Sequence, residues 1–144
     1  MNNLNLGGYD LDIVPINMIS KLNCVTNLVL EGNLMSLEQA RVFMTDMAAD
    51  TNLKRLNLER FNLSWQDPGL VARAVVHVEK VVIECDLPKA HVMAILGQID
   101  QSSRLRQLDL GNNDVSRVPR YLLETAVKFL KEGGGSLELK KVGP

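Results

Sequence analysis

The sequence is poor in the residues that carry chemistry. It holds two histidines and two cysteines, Cys24 and Cys85, with no Cys-x-x-Cys pair and no cluster at metal-ligand spacing. A buried free thiol is therefore expected at each cysteine. There is no glycine-rich phosphate loop and no serine–histidine–aspartate set. No catalytic residue, metal or cofactor is expected, and the chain reads as non-enzymatic. Charge of one sign is also lacking: 16 basic against 17 acidic residues leave a formal net charge of −1. That balance excludes a general attraction to nucleic acid or to anionic membranes. No apolar run approaches the roughly 20 residues of a membrane span. The opening MNNLNLGGYD has neither the basic segment nor the apolar run of a signal peptide. Few, scattered cysteines then point to a reducing, cytoplasmic setting, in which the sequon Asn62-Leu63-Ser64 has no use. Aromatics are only 4% of the chain, so a core must be filled by aliphatic side chains.

What is present is leucine at fixed spacing. The stretch 105–119 reads LRQLDLGNNDVSRVP and sets Leu105, Leu108, Leu110, Asn113, Val115 and Val118 at L-x-x-L-x-L-x-x-N-x-V-x-x-V. Leu108 and Leu110, two apart, fall on one face of a short strand, and Leu105 turns into the same core. Gly111 and Asn112 let the chain bend. Asn113 follows where the turn's backbone has no strand partner and a buried amide can supply one. Val115 and Val118 continue the core, and Pro119 opens a helix, where its missing N–H costs nothing.

The rest of the chain registers on this template. Leu4 and Leu6 begin a first unit, with Tyr9 at the asparagine position and Leu11 after it. Val25, Leu28, Leu30, Asn33 and Met35 form the second. Leu53, Leu56, Leu58 and Leu63 form the third, with Phe61 in place of the asparagine. Val78, Val81 and Ile83 begin the fourth, whose asparagine place falls to Cys85 or Asp86; Leu137, Leu139 and Val142 are all that remains of a sixth. The first strand positions, 4, 28, 56, 81, 108 and 137, are separated by 24, 28, 25, 27 and 29 residues. A longer period overlies these, because Leu4, Leu56 and Leu108 are 52 apart in each case. The ancestral unit therefore reads as a pair, duplicated.

Helix signals lie between the strands. Ser36 and Gln39 form a capping box, Asp67-Pro68 is an N-cap with a first-turn proline, and Asp86 precedes Leu87-Pro88 in the same way. Apolar faces at helical spacing are expected from Val42, Met44, Met47 and Ala48, and from Leu70, Val71, Ala74 and Val75. Val92, Ile95, Leu96 and Ile99 give a third, and Leu122, Leu123, Ala126, Val127 and Leu130 a fourth. Gly133-Gly134-Gly135 ends the last helix.

On these motifs, from Leu4 to Val142, the chain resembles the ribonuclease-inhibitor type of leucine-rich repeat domain, a kinship that includes the sensor regions of nucleotide-binding immune receptors and the activator of the Ran GTPase. The resemblance implies one α/β domain over residues 1–144, a curved right-handed solenoid of about six repeats, with a parallel sheet on its concave side and helices on its convex side. It also implies protein binding. The asparagine position is regular only at Asn33 and Asn113, so the pattern departs from the family around Phe61 and Cys85.

Between the core leucines, alternate residues must point out of the sheet, which gives three columns. Asn27, Arg55, Lys80, Gln107 and Ser136 form the first. Asn5, Val29, Asn57, Val82, Asp109 and Glu138 form the second. Glu31, Glu59, Glu84, Gly111 and Lys140 form the third. The glutamate row is either a solvated edge neutralised by Arg55 and Lys80 or a dock for a basic segment of a protein partner. A calcium site would need converging loops that one row lacks. The candidate binding face is thus Glu31, Glu59, Glu84, Arg55, Asn57, Lys80, Val82, Gln107 and Asp109. Trp65, the single tryptophan, is either a staple on the following helix or an exposed anchor at the edge. His77 and His91 have no acidic or cysteine partner at motif spacing, and a surface or capping role is expected of both. A solenoid exposes its core at bare ends. The first strand begins almost at once, while Lys140 and Lys141 blunt the last edge. A larger receptor or scaffold, a covering partner or self-association would each account for the first edge. Partner binding is the leading expectation. Activation of a small GTPase, for which only Arg55 and Arg60 are candidates, and self-association are the alternatives.

Overall fold

A computed structural model describes residues 3–32, 35–84, 87–111, 113 and 115–138. It is an α/β fold whose six strands form one parallel sheet in chain order. The strands are β1 (Asn3–Asn5), β2 (Asn27–Val29), β3 (Arg55–Asn57), β4 (Lys80–Val82), β5 (Gln107–Asp109) and β6 (Ser136–Glu138). Their central residues are the expected ones, Leu4, Leu28, Leu56, Val81, Leu108 and Leu137, aligned across the sheet without a slip. Parallel neighbours require a crossover, and each crossover carries helix: α1 (Ile16–Ile19), α2 (Leu37–Ala49), α3 (Pro68–Val75), α4 (Lys89–Gln98) and α5 (Arg120–Glu132). In the first crossover, 3-10 turns at Leu11–Ile13 and Ser20–Cys24 flank the single turn of α1. A strand with its following crossover is called a unit below.

The strands are short, but backbone pairing continues beyond them. Leu30 N–H bonds Asn57 O at 2.9 Å, Leu58 N–H bonds Val82 O at 2.8 Å, and Ile83 N–H bonds Asp109 O at 2.8 Å. This carries the second leucine of each pair into the core. Leu28, Leu30, Leu56, Leu58, Val81, Ile83, Leu108 and Leu110 are each at most 2% exposed. They join the apolar helix faces in one cluster, so the helices cover the face to which these side chains point.

The helix ends follow their signals. The Ser36–Gln39 capping box forms in both directions, and the Asp67 carboxylate accepts from Leu70 N–H at 2.9 Å. Pro88 and Pro119 occupy the N-cap positions of α4 and α5.

The faces differ in detail. In α2 the buried set is Ala40, Phe43, Met44 and Met47, with Val42 only half-buried. That set is spaced i, i+3, i+4, i+7, and Val42 lies roughly a quarter to nearly half a turn from its members. In α5 only Ala126 and Leu130 are fully buried. Among the described residues α5 packs against α4 and β6, so Leu122 and Leu123 are only partly covered. Cys24 is exposed rather than buried. It ends a 3-10 turn whose inward residues are Leu22 and Asn23. Tyr9, placed at the asparagine position, is 64% exposed, whereas its counterpart Phe61 is 2% exposed. The expectations for Asn33, Cys85, Asp86, Asn112, Leu139, Lys140, Lys141 and Val142 lie outside the described residues.

Candidate functional site

The sheet face opposite the helices is open. A groove of about 560 Å³ crosses its first five strands, lined by Asn5, Val29, Arg55, Val82, Gln107 and Asp109 among others. The register brings the first two expected columns together: Asn27, Arg55, Lys80 and Gln107 are successive partners, as are Val29, Asn57, Val82 and Asp109.

The middle column alternates. Asn5, Asn57 and Asp109 turn a side-chain oxygen back to the backbone N–H two residues on, at 2.9, 2.9 and 2.8 Å. Val29 and Val82 have no such group. The first, third and fifth units therefore close their own strand ends, and the second and fourth present apolar side chains to the groove. The alternation has the two-unit period of the 52-residue spacing.

The glutamates continue the ladder beyond the groove. Gly32 N–H bonds Glu59 O at 2.9 Å and Arg60 N–H bonds Glu84 O at 3.2 Å. They are not neutralised as expected. Arg55 and Lys80 make no ion pair among the described residues. Four residues of strand put Arg55 about 13 Å from Glu59 along the chain, so the two charges occupy opposite edges. It is Arg60 that pairs with Glu31. The Glu59 carboxylate accepts instead from Asn57 Nδ2 at 3.4 Å, and the Glu84 side chain lies against Gly111. No three His, Cys, Asp or Glu side chains come together as a metal site among the described residues.

Arg60 reaches Glu31 at a conformational cost. Its φ of 56° is the single positive value outside glycine among the described residues, at the position that Gly8 and Gly32 hold in the first two units. Such a backbone costs about 1–3 kcal/mol for a side-chain-bearing residue, while an exposed ion pair returns about 0.2–1 kcal/mol. Glycine also loses more entropy on folding. Arg60→Gly is accordingly expected to give between no change and a gain of about 1 kcal/mol in urea denaturation. A loss beyond about 1 kcal/mol would show the ion pair to be the larger effect.

Asn113 fills the role expected of it. It is 6% exposed, and its Nδ2 donates to Ile83 O at 2.9 Å and Leu110 O at 2.7 Å while its Oδ1 accepts from Leu87 N–H at 2.8 Å. One amide thus ties the fourth unit to the fifth.

A second set of buried polar residues has no counterpart in the repeat template. Gln39 Nε2 donates to Leu11 O at 2.7 Å and Val14 O at 2.6 Å. Gln66 Nε2 donates to Leu37 O at 3.1 Å. His91 Nε2 meets Gln66 O at 2.7 Å, and since a carbonyl only accepts, this nitrogen carries the proton. His91 is therefore not a surface residue: it is 4% exposed, with Nδ1 unpartnered among the described residues. The three form a staircase, each step reaching back to the crossover of the unit before it. The signal available in sequence was a polar residue near the start of three successive helices.

Trp65 is 75% exposed. It is therefore not buried as a staple on the following helix. His77 follows α3, its N–H bonding Ala74 O at 3.2 Å. Among the described residues no helix is long and apolar enough to cross a membrane.

No protein-family model, curated protein or solved structure matches the chain. Function therefore rests on the groove and its borders. The groove offers a cationic edge and an apolar and amide floor, and the glutamates border it on the far side.

Proposed function

We propose that this chain is a leucine-rich repeat module of the ribonuclease-inhibitor type, a curved solenoid whose concave sheet face binds a protein partner without catalysis. The observation that carries this reading is the groove across the open face. Its polar side chains are held in columns by strand register, and Arg55 and Lys80 stand side by side without ion-pair partners among the described residues. Two adjacent, unneutralised cations on a rigid sheet favour an acidic patch on the partner. The apolar spots Val29 and Val82 supply contact area between the charged edges. The glutamate edge remains the place for basic groups, carried by Glu59 more than by Glu31, whose charge Arg60 engages.

The test uses the chain as bait in quantitative cross-linking capture. Arg55→Glu combined with Lys80→Glu is expected to lose specific partners. A helix-side control, Lys128→Glu, is expected to keep them. Neutralising Glu31, Glu59 and Glu84 together to glutamine is expected to weaken the same partners at least tenfold and to leave the unfolding midpoint unchanged. Full retention of affinity by both multiple variants would refute the open face as the binding surface. A role as GTPase activator has less support, since Arg60, one of its two candidates, is engaged by Glu31.

A further inference from the structure

The rim where strands turn into helices carries an apolar row. Ile13, Leu37 and Trp65 are 83%, 59% and 75% exposed. They are also equivalent in three successive units, each seven residues after the second strand leucine, Leu6, Leu30 and Leu58. The staircase fixes them relative to one another. Gln39 grips the carbonyls of Leu11 and Val14 on either side of Ile13, and Gln66, the neighbour of Trp65, grips the carbonyl of Leu37. Three large apolar side chains are thus held outward, one per unit, on a 3-10 turn, a helix start and a loop fastened by buried or part-buried hydrogen bonds. Scattered apolar residues need no explanation, but an aligned row on a fixed support does.

The charges around the row have one sign left over. Arg41 is hydrogen-bonded to Glu38, which holds that carboxyl below its ordinary value, and the pair is neutral overall. Arg60 is likewise engaged by Glu31. Asp10 and Asp12 are exposed and make no ion pair among the described residues, whereas the Asp67 carboxylate caps Leu70 N–H and has the Arg73 guanidinium beside it over Gly69.

We propose that this rim docks a basic amphipathic helix of a protein partner, its apolar side chains on Ile13, Leu37 and Trp65 and its basic flank against Asp10 and Asp12. Units repeat about every 4.8 Å at the strands and spread toward the helices. A helix laid across them offers one apolar side chain per turn of about 5.4 Å. The site is separate from the open-face groove and does not depend on it.

The test uses an 18-residue synthetic helix of leucine and lysine with the leucines at i, i+3, i+4, i+7, titrated into the whole chain with Trp65 as the fluorescent reporter. A saturable shift of emission to shorter wavelength is expected. Ile13→Ser with Leu37→Ser is expected to weaken it at least tenfold, and Asp10→Asn with Asp12→Asn about threefold by loss of charge attraction. Glu59→Gln with Glu84→Gln, which tests the open face, is expected to leave it within twofold. Equal binding of a peptide of the same composition with its helical period scrambled, or of a leucine–glutamate helix, would overturn the proposal. So would undiminished binding by the Ile13/Leu37 variant. A chain that elutes as a dimer with Trp65 already blue-shifted would assign the row to a second copy, and a response to anionic vesicles without one to the peptide would assign it to a membrane; either overturns the proposal.

Discussion

Asn113→Ala is expected to destabilise the fold by about 3 kcal/mol in urea denaturation. The estimate follows from what alanine leaves behind. The Leu87 N–H and the Ile83 carbonyl lose the partners they have at 2.8 and 2.9 Å. Each stranded buried group costs about 1–3 kcal/mol. The Leu110 carbonyl is less affected, because it also accepts from Asn113 N–H at 3.0 Å. Asn113→Asp should do more damage at neutral pH: it sets an ionised carboxylate against two carbonyl oxygens in a buried site. Burial raises the pKa of that introduced carboxyl in the folded state. The aspartate variant should therefore recover stability as pH falls through the folded value toward the ordinary carboxylate range, and lose it as pH rises. A loss below about 1 kcal/mol for Asn113→Ala would mean that water replaces the amide, and that the turn does not depend on it.

Gly135→Ala is expected to detach β6. A Cβ at this position would lie 1.6 Å from the Arg106 carbonyl oxygen, a backbone atom that itself accepts from Ser136 N–H at 2.9 Å. No rotamer relieves such an overlap, so the strand must leave its register. Hydrogen exchange should show Ser136–Glu138 losing protection while β2–β4 keep theirs. The unfolding free energy should fall by the small amount that a terminal strand with a half-buried Leu137 contributes, about 1–3 kcal/mol. The neighbouring glycines supply controls. At Gly134, with φ +84°, nothing lies within 4 Å of an added Cβ, so alanine there meets backbone strain alone. At Gly133 the obstacle is the Arg106 side chain, with Cδ at 2.5 Å, which can swing aside. If Gly135→Ala and Gly134→Ala cost the same, the backbone at Arg106 gives way and the clash is not decisive.

The strands were legible because leucine spacing is a direct record of which side chains must face inward. All six central residues were read from that spacing, and so were the columns of Arg55, Asn57, Lys80 and Val82, since register and alternation follow from it. Ser36, Gln39 and Asp67 were legible as caps for the same reason: the unpaired N–H groups of a helix start require them. The pairing of charges was not legible. Strand order puts Arg55 and Glu59 in one segment, and only the turn geometry shows that Arg60, bent into a glycine's conformation, is the residue that reaches Glu31. His91 and Gln66 were not legible either, because their bonds join backbone carbonyls across units and leave no side-chain motif. Phe43 displaced Val42 in α2 because the face is set by the neighbouring helices, and a one-residue rotation of the stripe is invisible in a helix with apolar residues on both sides.

The staircase has a direction. Gln39 donates to carbonyls of the first unit, Gln66 to one of the second and His91 to one of the third. In each case the acceptor is made on the ribosome before the donor. A nascent chain can therefore lay down its units in order of synthesis, every arrival completing the crossover of its predecessor. Removing one step, as in Gln66→Leu, should interrupt that relay and leave the earlier units to assemble ahead of it.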